Sequence, residues 1–224
     1  MQTFRTPRNT LLDIKVEQLI IAGWAARDQA SVEAHIKELE ELGVQRPSAV
    51  PLFYRVAADR LTSAESLQVL GNQSSGEIEA VLISDDRGRL WVGVGSDHTD
   101  REVEAYSVAV SKQICPKPIS SELWAFEEVA EHWDRLRLRS HVVIEGKKEL
   151  YQEGTMESLL DPRDLVRRYT GGSDLPPRTA LFCGTLTAQG GVRPAPRFEM
   201  ELQDPVLGRS LVHTYELDLL PVVA

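Results

Sequence analysis

Glu77 and Glu79 stand two residues apart in the stretch Gly76-Glu77-Ile78-Glu79-Ala80-Val81-Leu82-Ile83. On a strand, residues i and i+2 face the same side, so both carboxylates point one way, roughly 7 Å apart at Cα for a rise of about 3.3 Å per residue. Ile78, Ala80 and Leu82 point the other way. Ser84-Asp85-Asp86-Arg87-Gly88 carries a turn signal, and Leu90-Trp91-Val92-Gly93-Val94 reads as the returning strand of a hairpin. That return brings Asp97, in Ser96-Asp97-His98-Thr99-Asp100-Arg101, to the end of the sheet that holds the glutamates. Three converging carboxylates stay ionised together when a cation sits among them. Hard oxygen ligands suit Mg²⁺, Mn²⁺ or Ca²⁺. The plainer reading is that the alternating glutamates form a solvated face and that Asp-x-Thr-Asp is only a turn.

His35 and Glu38 form a second pair, three residues apart and therefore neighbours on one helix face. Their helix starts at Asp28 or Ser31, runs to about Leu42, and is stopped by Gly43. Val32, Ile36 and Leu39 make its buried stripe. A carboxylate beside an imidazole fixes its tautomer and raises its basicity, as a general base requires. A surface ion pair on an amphipathic helix has the same spacing. Lys112, before Cys115-Pro116-Lys117-Pro118, gains a role only in company with other residues.

The elements around these residues read mostly as strands. Leu11-Leu12-Asp13-Ile14 and Gln18-Leu19-Ile20-Ile21-Ala22 are short strands, and Pro51-Leu52-Phe53-Tyr54-Arg55-Val56 is extended. Residues 102–111 are short and mixed. Trp124 to Leu138 reads as a helix, Ser140 to Ile144 as a strand, and Thr155 to Tyr169 as a partly helical excursion. Thr179-Ala180-Leu181-Phe182-Cys183 is a buried strand entering the Gly-rich loop Gly184 to Gly191. Phe198–Leu202 and Ser210–Leu217 alternate as a closing hairpin. Sheets carry the fold and helices decorate it: the class is α+β, predominantly β.

With 224 residues, 42% of them hydrophobic and 26% charged, the chain has the composition of a globular protein with a real core. The formal charge of −9 offers no attractive field to nucleic acid or an anionic membrane. Two cysteines, Cys115 and Cys183, argue for buried thiols in a reducing compartment over a disulfide framework. No apolar run has the length of a signal or membrane-spanning segment, so a cytoplasmic setting is expected.

Taken in order, these pieces resemble the fumarylacetoacetate hydrolase superfamily, and within it an uncharacterised bacterial branch catalogued as a domain of unknown function. The metal-binding strand pattern Glu-x-Glu is met by Glu77-Ile78-Glu79. The Asp-x-Thr-x-Arg segment is met by Asp97-His98-Thr99-Asp100-Arg101. The small-Lys-x-x-x-Cys-Pro context is met by Ser111-Lys112-Gln113-Ile114-Cys115-Pro116. The Gly-Thr-x-x-x-x-Gly loop is met by Gly184-Thr185 to Gly190. Pro51 to Val56 looks like the family's Pro-x-x-Phe-x-Lys run, and His35-Ile36-Lys37-Glu38 is similar to a lid helix with a His–Glu pair. The likeness spans roughly Gly23 to Leu217. Trp24-Ala25-Ala26-Arg27 departs from the family's Arg-Asn-Tyr entry, Leu186 stands where Pro is usual, and His98 where an apolar residue is common.

The resemblance implies a mixed β-sandwich or roll with peripheral helices. It divides the chain into an N-terminal strand and lid-helix segment at 1–50 and a metal-binding unit at 51–224. It implies a divalent cation, Mg²⁺ first, on Glu77, Glu79 and Asp97. His35 and Glu38 then act as the water-activating pair, Lys112 supplies positive charge, and Gly184 and Thr185 orient a substrate carboxylate. Arg101 holds Asp97, binds substrate or forms a structural salt bridge, and His98 is the substitute base if His35 points elsewhere. The implied activity is a hydrolase or lyase cleaving a C–C bond in a small 2-oxo or 1,3-dicarbonyl acid, working as a homodimer. Hydratase, decarboxylase and isomerase activities occur on the same scaffold. Two readings of other classes remain: a protein that binds metal and oxo acid without turnover, and a β-rich interaction domain without metal.

Overall fold

The computed structural model describes residues 1–41 and 46–223; the side chains at positions 31, 35, 38, 39 and 41 also lie outside the described set. Eleven strands build two sheets. They are β1 (Gln18–Gly23), β2 (Leu52–Val56), β3 (Ser66–Leu70), β4 (Ile78–Ser84), β5 (Leu90–Ser96), β6 (Trp124–Ala125), β7 (Arg137–Ile144), β8 (Lys147–Thr155), β9 (Thr179–Thr185), β10 (Arg197–Asp204) and β11 (Arg209–Leu220). The first sheet runs β6-β5-β4-β9-β1-β2 and the second β8-β7-β10-β11-β3. Pairing is antiparallel except at β9–β1 and β11–β3.

Both faces of the first sheet are covered, which is why its strands read as near-continuous apolar runs. Ile78, Ala80 and Leu82 pack into the core between the sheets with Leu138, Phe198, Met200 and Tyr215. Val81 and Ile83 face a second core, capped by Phe4 and Ile14 of an N-terminal hairpin and by Ile119 and Leu123. That hairpin pairs Gln2–Arg5 with Leu11–Ile14, so the expected strand at Leu11 finds a partner the sequence did not announce. In the second sheet β10 alternates half-buried and buried along its whole length, as a strand with one wet face should.

The β4–β5 hairpin is fixed by Asp85. Its carboxylate accepts the backbone N–H groups of Arg87 and Arg89 at 2.8 and 3.0 Å and the indole N–H of Trp91 at 3.0 Å. This sets a register in which Ile78 lies opposite Ser96, and so delivers Asp97 beside Glu77.

Among the described residues four α-helices are peripheral: α1 (Gln29–Glu41), α2 (Arg101–Tyr106), α3 (Val108–Ile114) and α4 (Pro162–Thr170). Asp100 caps α2 by accepting the Val103 N–H, and Ser107 caps α3 by accepting from Val110. The helix expected from Trp124 to Leu138 is not one. The segment is strand β6 followed by 3₁₀ turns at Phe126–Glu128 and Ala130–Arg135, broken at His132, whose φ is −127°. Trp124, Phe126, Val129, Trp133 and Leu136 are all buried in the core between the sheets. Phe126, Val129, Trp133 and Leu136 have the spacing of one helix face, but Trp124 belongs to strand β6 and the backbone breaks at His132. No described helix is long and apolar enough to cross a membrane.

Candidate metal centre

Glu77, Glu79 and Asp97 each place a carboxylate oxygen within 4.8 Å of the others'. The backbone does this directly. The Asp97 N–H donates to the Glu77 carbonyl at 2.9 Å, and the Glu77 N–H to the Ser96 hydroxyl at 3.0 Å. Glu79 is 2% exposed and accepts the Gly184 N–H at 2.7 Å. A register shift in the β9–β4 pairing between Phe182 and Thr185 aims that N–H at the carboxylate. Gly184 has φ +94°, and a Cβ there would come within 2.7 Å of the Ala25 Cβ, so the position requires glycine.

Three cations surround the triad. The Lys112 ammonium donates to Asp97 in a short contact and lies 3.5 Å from Glu77. Arg101 lies 3.2 Å from Glu77, pairs with Glu104 at 2.7 Å and donates to the Ser75 hydroxyl at 2.6 Å. Lys117, completely buried, lies 3.4 Å from Asp97 and donates to the carbonyls of His98, Lys112 and Cys115. Burial alone would raise the Asp97 carboxyl, but Lys112 and Lys117 outweigh it and hold the group below its ordinary value. Burial alone would lower Lys112, and Asp97 and Glu77 raise it instead, so it stays charged.

Glu79 behaves differently. Among the described residues no cation lies within salt-bridge distance of it. Burial, then Asp97 and Glu77, push its carboxyl well above the ordinary value. An additional cation among the three groups would let it ionise. An all-oxygen donor set with one uncompensated carboxylate therefore fits a hard divalent ion.

His98 is not placed to act as the substitute base. Its ring is fully buried between the sheets, edge-on to Phe198 and Tyr215. One nitrogen is 3.1 Å from the Tyr215 hydroxyl and the other 2.9 Å from that of Ser74. Burial first, then Lys117 and Arg101, push it down to about 3, so it is a neutral packing residue. His35 and Glu38 fall on α1, and their side chains lie outside the described residues. The Thr185 hydroxyl donates to the Ile78 carbonyl at 2.8 Å and accepts from Gln152 at 2.8 Å.

Beside Lys112, at 5.7 Å, lies the ring of Tyr54, hydrogen-bonded to the side chain of Trp24. Three arginines singled out by their place in the sequence are already paired: Arg27 with Asp134, Arg193 with Glu149 and the face of Tyr151, and Arg197 with Glu199 and Glu216. Sequence reasoning missed Lys117, Gln152, Tyr54 and Glu104. For Lys117 a signal existed, since a lysine locked between two prolines and followed by Ile119 has little freedom to snorkel.

The sequence matches the model of a family described as "Protein of unknown function (DUF2848)" over residues 22–215. Curated proteins give no match. Solved structures match in fold. A putative fumarylacetoacetate hydrolase family protein from Yersinia pestis CO92 has a TM-score of 0.66 at 18% identity, covering 96% of this chain and 100% of that one. A 2-keto-3-deoxy-D-arabinonate dehydratase complexed with magnesium and 2,5-dioxopentanoate gives 0.65 at 13%, covering 93% and 75%. Cg1458 gives 0.65 at 13%, covering 93% and 78%. The fold is thus that of the fumarylacetoacetate hydrolase family, mostly β with peripheral helices.

Proposed function

The chain belongs to the DUF2848 family, and from that premise we propose that it is a metal-dependent enzyme cleaving a C–C bond in a small 2-oxo acid or 1,3-dicarbonyl acid. The observation that carries this is the carboxylate triad, in which Glu79 alone lacks a cationic partner among the described residues. Glu77, Glu79 and Asp97 would hold Mg²⁺ or Mn²⁺. A bound ion would supply Lewis-acid polarisation of the substrate's oxygens and stabilise negative charge developing on them.

The chain's own residues do the rest. Lys112 carries a permanent positive charge at the cleft and faces the substrate carboxylate. Arg101 restrains Glu77 through its own bonds to Glu104 and Ser75. The sequence resemblance supports a role for His35 and Glu38 as the water-activating pair and for their helix as a lid. Four carboxylates, Glu77, Glu79, Asp97 and Glu104, face three cations, Lys112, Lys117 and Arg101. Loading a divalent ion turns this negative balance positive, which favours an anionic substrate.

A second reading is water loss or addition without C–C cleavage. The dehydratase that shares the fold supports it. Both readings include a homodimer, for which the exposed Leu70, Leu219 and Leu220 at the β3–β11 edge offer apolar surface.

The test is calorimetric titration of Mg²⁺ and Mn²⁺ into chelator-stripped protein, wild type against Glu77→Ala. Binding that disappears in the variant is expected. No binding to the wild type, even with oxalate present, overturns the enzyme reading. Proton NMR of the products from a panel of 2-oxo acids then separates cleavage from dehydration.

A further inference from the structure

Ile78 lies between the two glutamates, and both of its backbone polar groups are met by side chains. Its N–H donates to the Gln152 side-chain oxygen at 2.9 Å. Its carbonyl accepts the Thr185 hydroxyl at 2.8 Å. The cause is the register shift in β9, where pairing with β4 breaks between Phe182 and Thr185. Side chains fill the interrupted ladder.

Gln152 comes from the other sheet. Regular alternation would put Tyr151 and Gln152 on opposite faces of β8, yet both are buried, Gln152 to 2% exposure. The β7–β8 register slips between Ser140 and His141, with Ser140 opposite Gln152 and His141 opposite Leu150. The extra residue turns Gln152 into the space between the sheets. There its amide is saturated. The oxygen accepts from Ile78 N–H and from the Ser140 hydroxyl at 3.3 Å, and the nitrogen donates to Thr185 Oγ1 and to the Leu186 carbonyl. A backbone N–H can only donate, so the bond to Ile78 fixes which end of the amide faces it.

We propose that Gln152 is a positioning residue of the metal centre, acting with Thr185 to lock the two peptide groups on either side of Ile78, between Glu77 and Glu79. The inference rests on the metal-site reading above. Rotation of the Ile78 peptide would swing both carboxylates, which have to meet Asp97 within a few ångströms. Gln152 touches none of the three carboxylates in a recorded bond; it acts through the backbone they hang from. It also ties the Leu186 carbonyl, just past the Gly184 N–H that holds Glu79, into the same network. Outer-layer partners of this kind change metal affinity by about 10–100-fold when removed.

The experiment is Mn²⁺ titration of chelator-stripped wild type, Gln152→Met, Thr185→Val and Thr185→Ser, with urea unfolding of each to establish that it is folded. Gln152→Met and Thr185→Val should bind Mn²⁺ about tenfold more weakly or worse. Thr185→Ser keeps the hydroxyl and should stay near wild type. The double variant Gln152→Met with Thr185→Val should be less than additive, because Gln152 also donates to the Thr185 hydroxyl and both hold the backbone of Ile78. Folded Gln152→Met or Thr185→Val binding within about twofold of wild type overturns the inference and leaves the metal reading standing. If Gln152→Met does not fold, the Val and Ser variants decide. A wild type that binds no Mn²⁺ overturns both.

Discussion

Gly184→Ala should damage both the fold and the candidate metal centre. The added Cβ meets the Ala25 Cβ at 2.7 Å, and φ is +94°. Ala25 cannot retreat easily: it is 4% exposed, and its carbonyl accepts the Leu160 N–H at 2.8 Å. Backbone strain of a non-glycine residue in such a conformation costs about 1–3 kcal/mol. Overpacking costs about 1–3 kcal/mol more. A central loss of about 4 kcal/mol lowers Tm by about 8–16 °C for a chain of this size. Urea and thermal unfolding read the loss, and Mn²⁺ titration reads its effect on Glu79, whose carboxylate accepts the Gly184 N–H. Pairing the change with Ala25→Gly removes the clashing atom and should recover the packing share but not the strain. A loss below about 0.5 kcal/mol, or no recovery in the pair, would refute the claim that the β9 irregularity needs glycine.

Two further substitutions probe the buried charges. Lys117→Met leaves the carbonyls of His98, Lys112 and Cys115 without their donor and removes a cation from Asp97. Breaking one side of a buried pair costs about 3–5 kcal/mol, so the urea midpoint should fall sharply; a midpoint near wild type would show that Lys117 is dispensable. Asp204 stabilises the turn before β11 by accepting the N–H groups of Val206 and Leu207 and a bond from His132. Burial would raise its carboxyl, but those donors outweigh it and depress it in the folded state. A depressed carboxylate contributes stability above its unfolded value of about 3.9, and that contribution fades as pH falls through the folded value. The stability gap between wild type and Asp204→Asn should therefore be full at pH 7 and close below about pH 4; a gap independent of pH sinks the argument.

What the sequence displayed was whatever its periodicity encoded. Glu77, Glu79 and Asp97 were legible because a strand's two-residue period and a short hairpin between Ser84 and Leu90 fix where three carboxylates fall. The opposite assignment of Ile78, Ala80 and Leu82 to the inter-sheet core followed from the same rule. Period failed where the chain is irregular. Trp124 to Leu138 carries apolar residues at near-helical spacing and they do serve one core, yet the backbone is a short strand and 3₁₀ turns broken at His132, which spacing alone does not distinguish from a helix. Gln152 was invisible because an extra residue in β8 inverts its face, and no pattern of polar and apolar letters records a bulge. His98 invited a catalytic reading by adjacency to Asp97, but its ring went into the core between Phe198 and Tyr215.

The same irregularities explain how a buried carboxylate cluster coexists with a stable sheet. A regular β4–β9 ladder would satisfy Ile78 by itself and would leave Glu79 without the Gly184 N–H. The slip in β9 frees that N–H for the carboxylate, and it leaves Ile78 to be satisfied by Thr185 and Gln152. The cost of opening the ladder is thus offset by side chains from two sheets. Charge follows the same logic one layer further out. Lys117 is held by three carbonyls, so its position does not depend on Asp97, whereas Lys112 reaches both Asp97 and Glu77 from the last turn of α3. The two cations thus differ in kind: Lys117 is fixed and helps keep Asp97 ionised, whereas Lys112 spans two carboxylates.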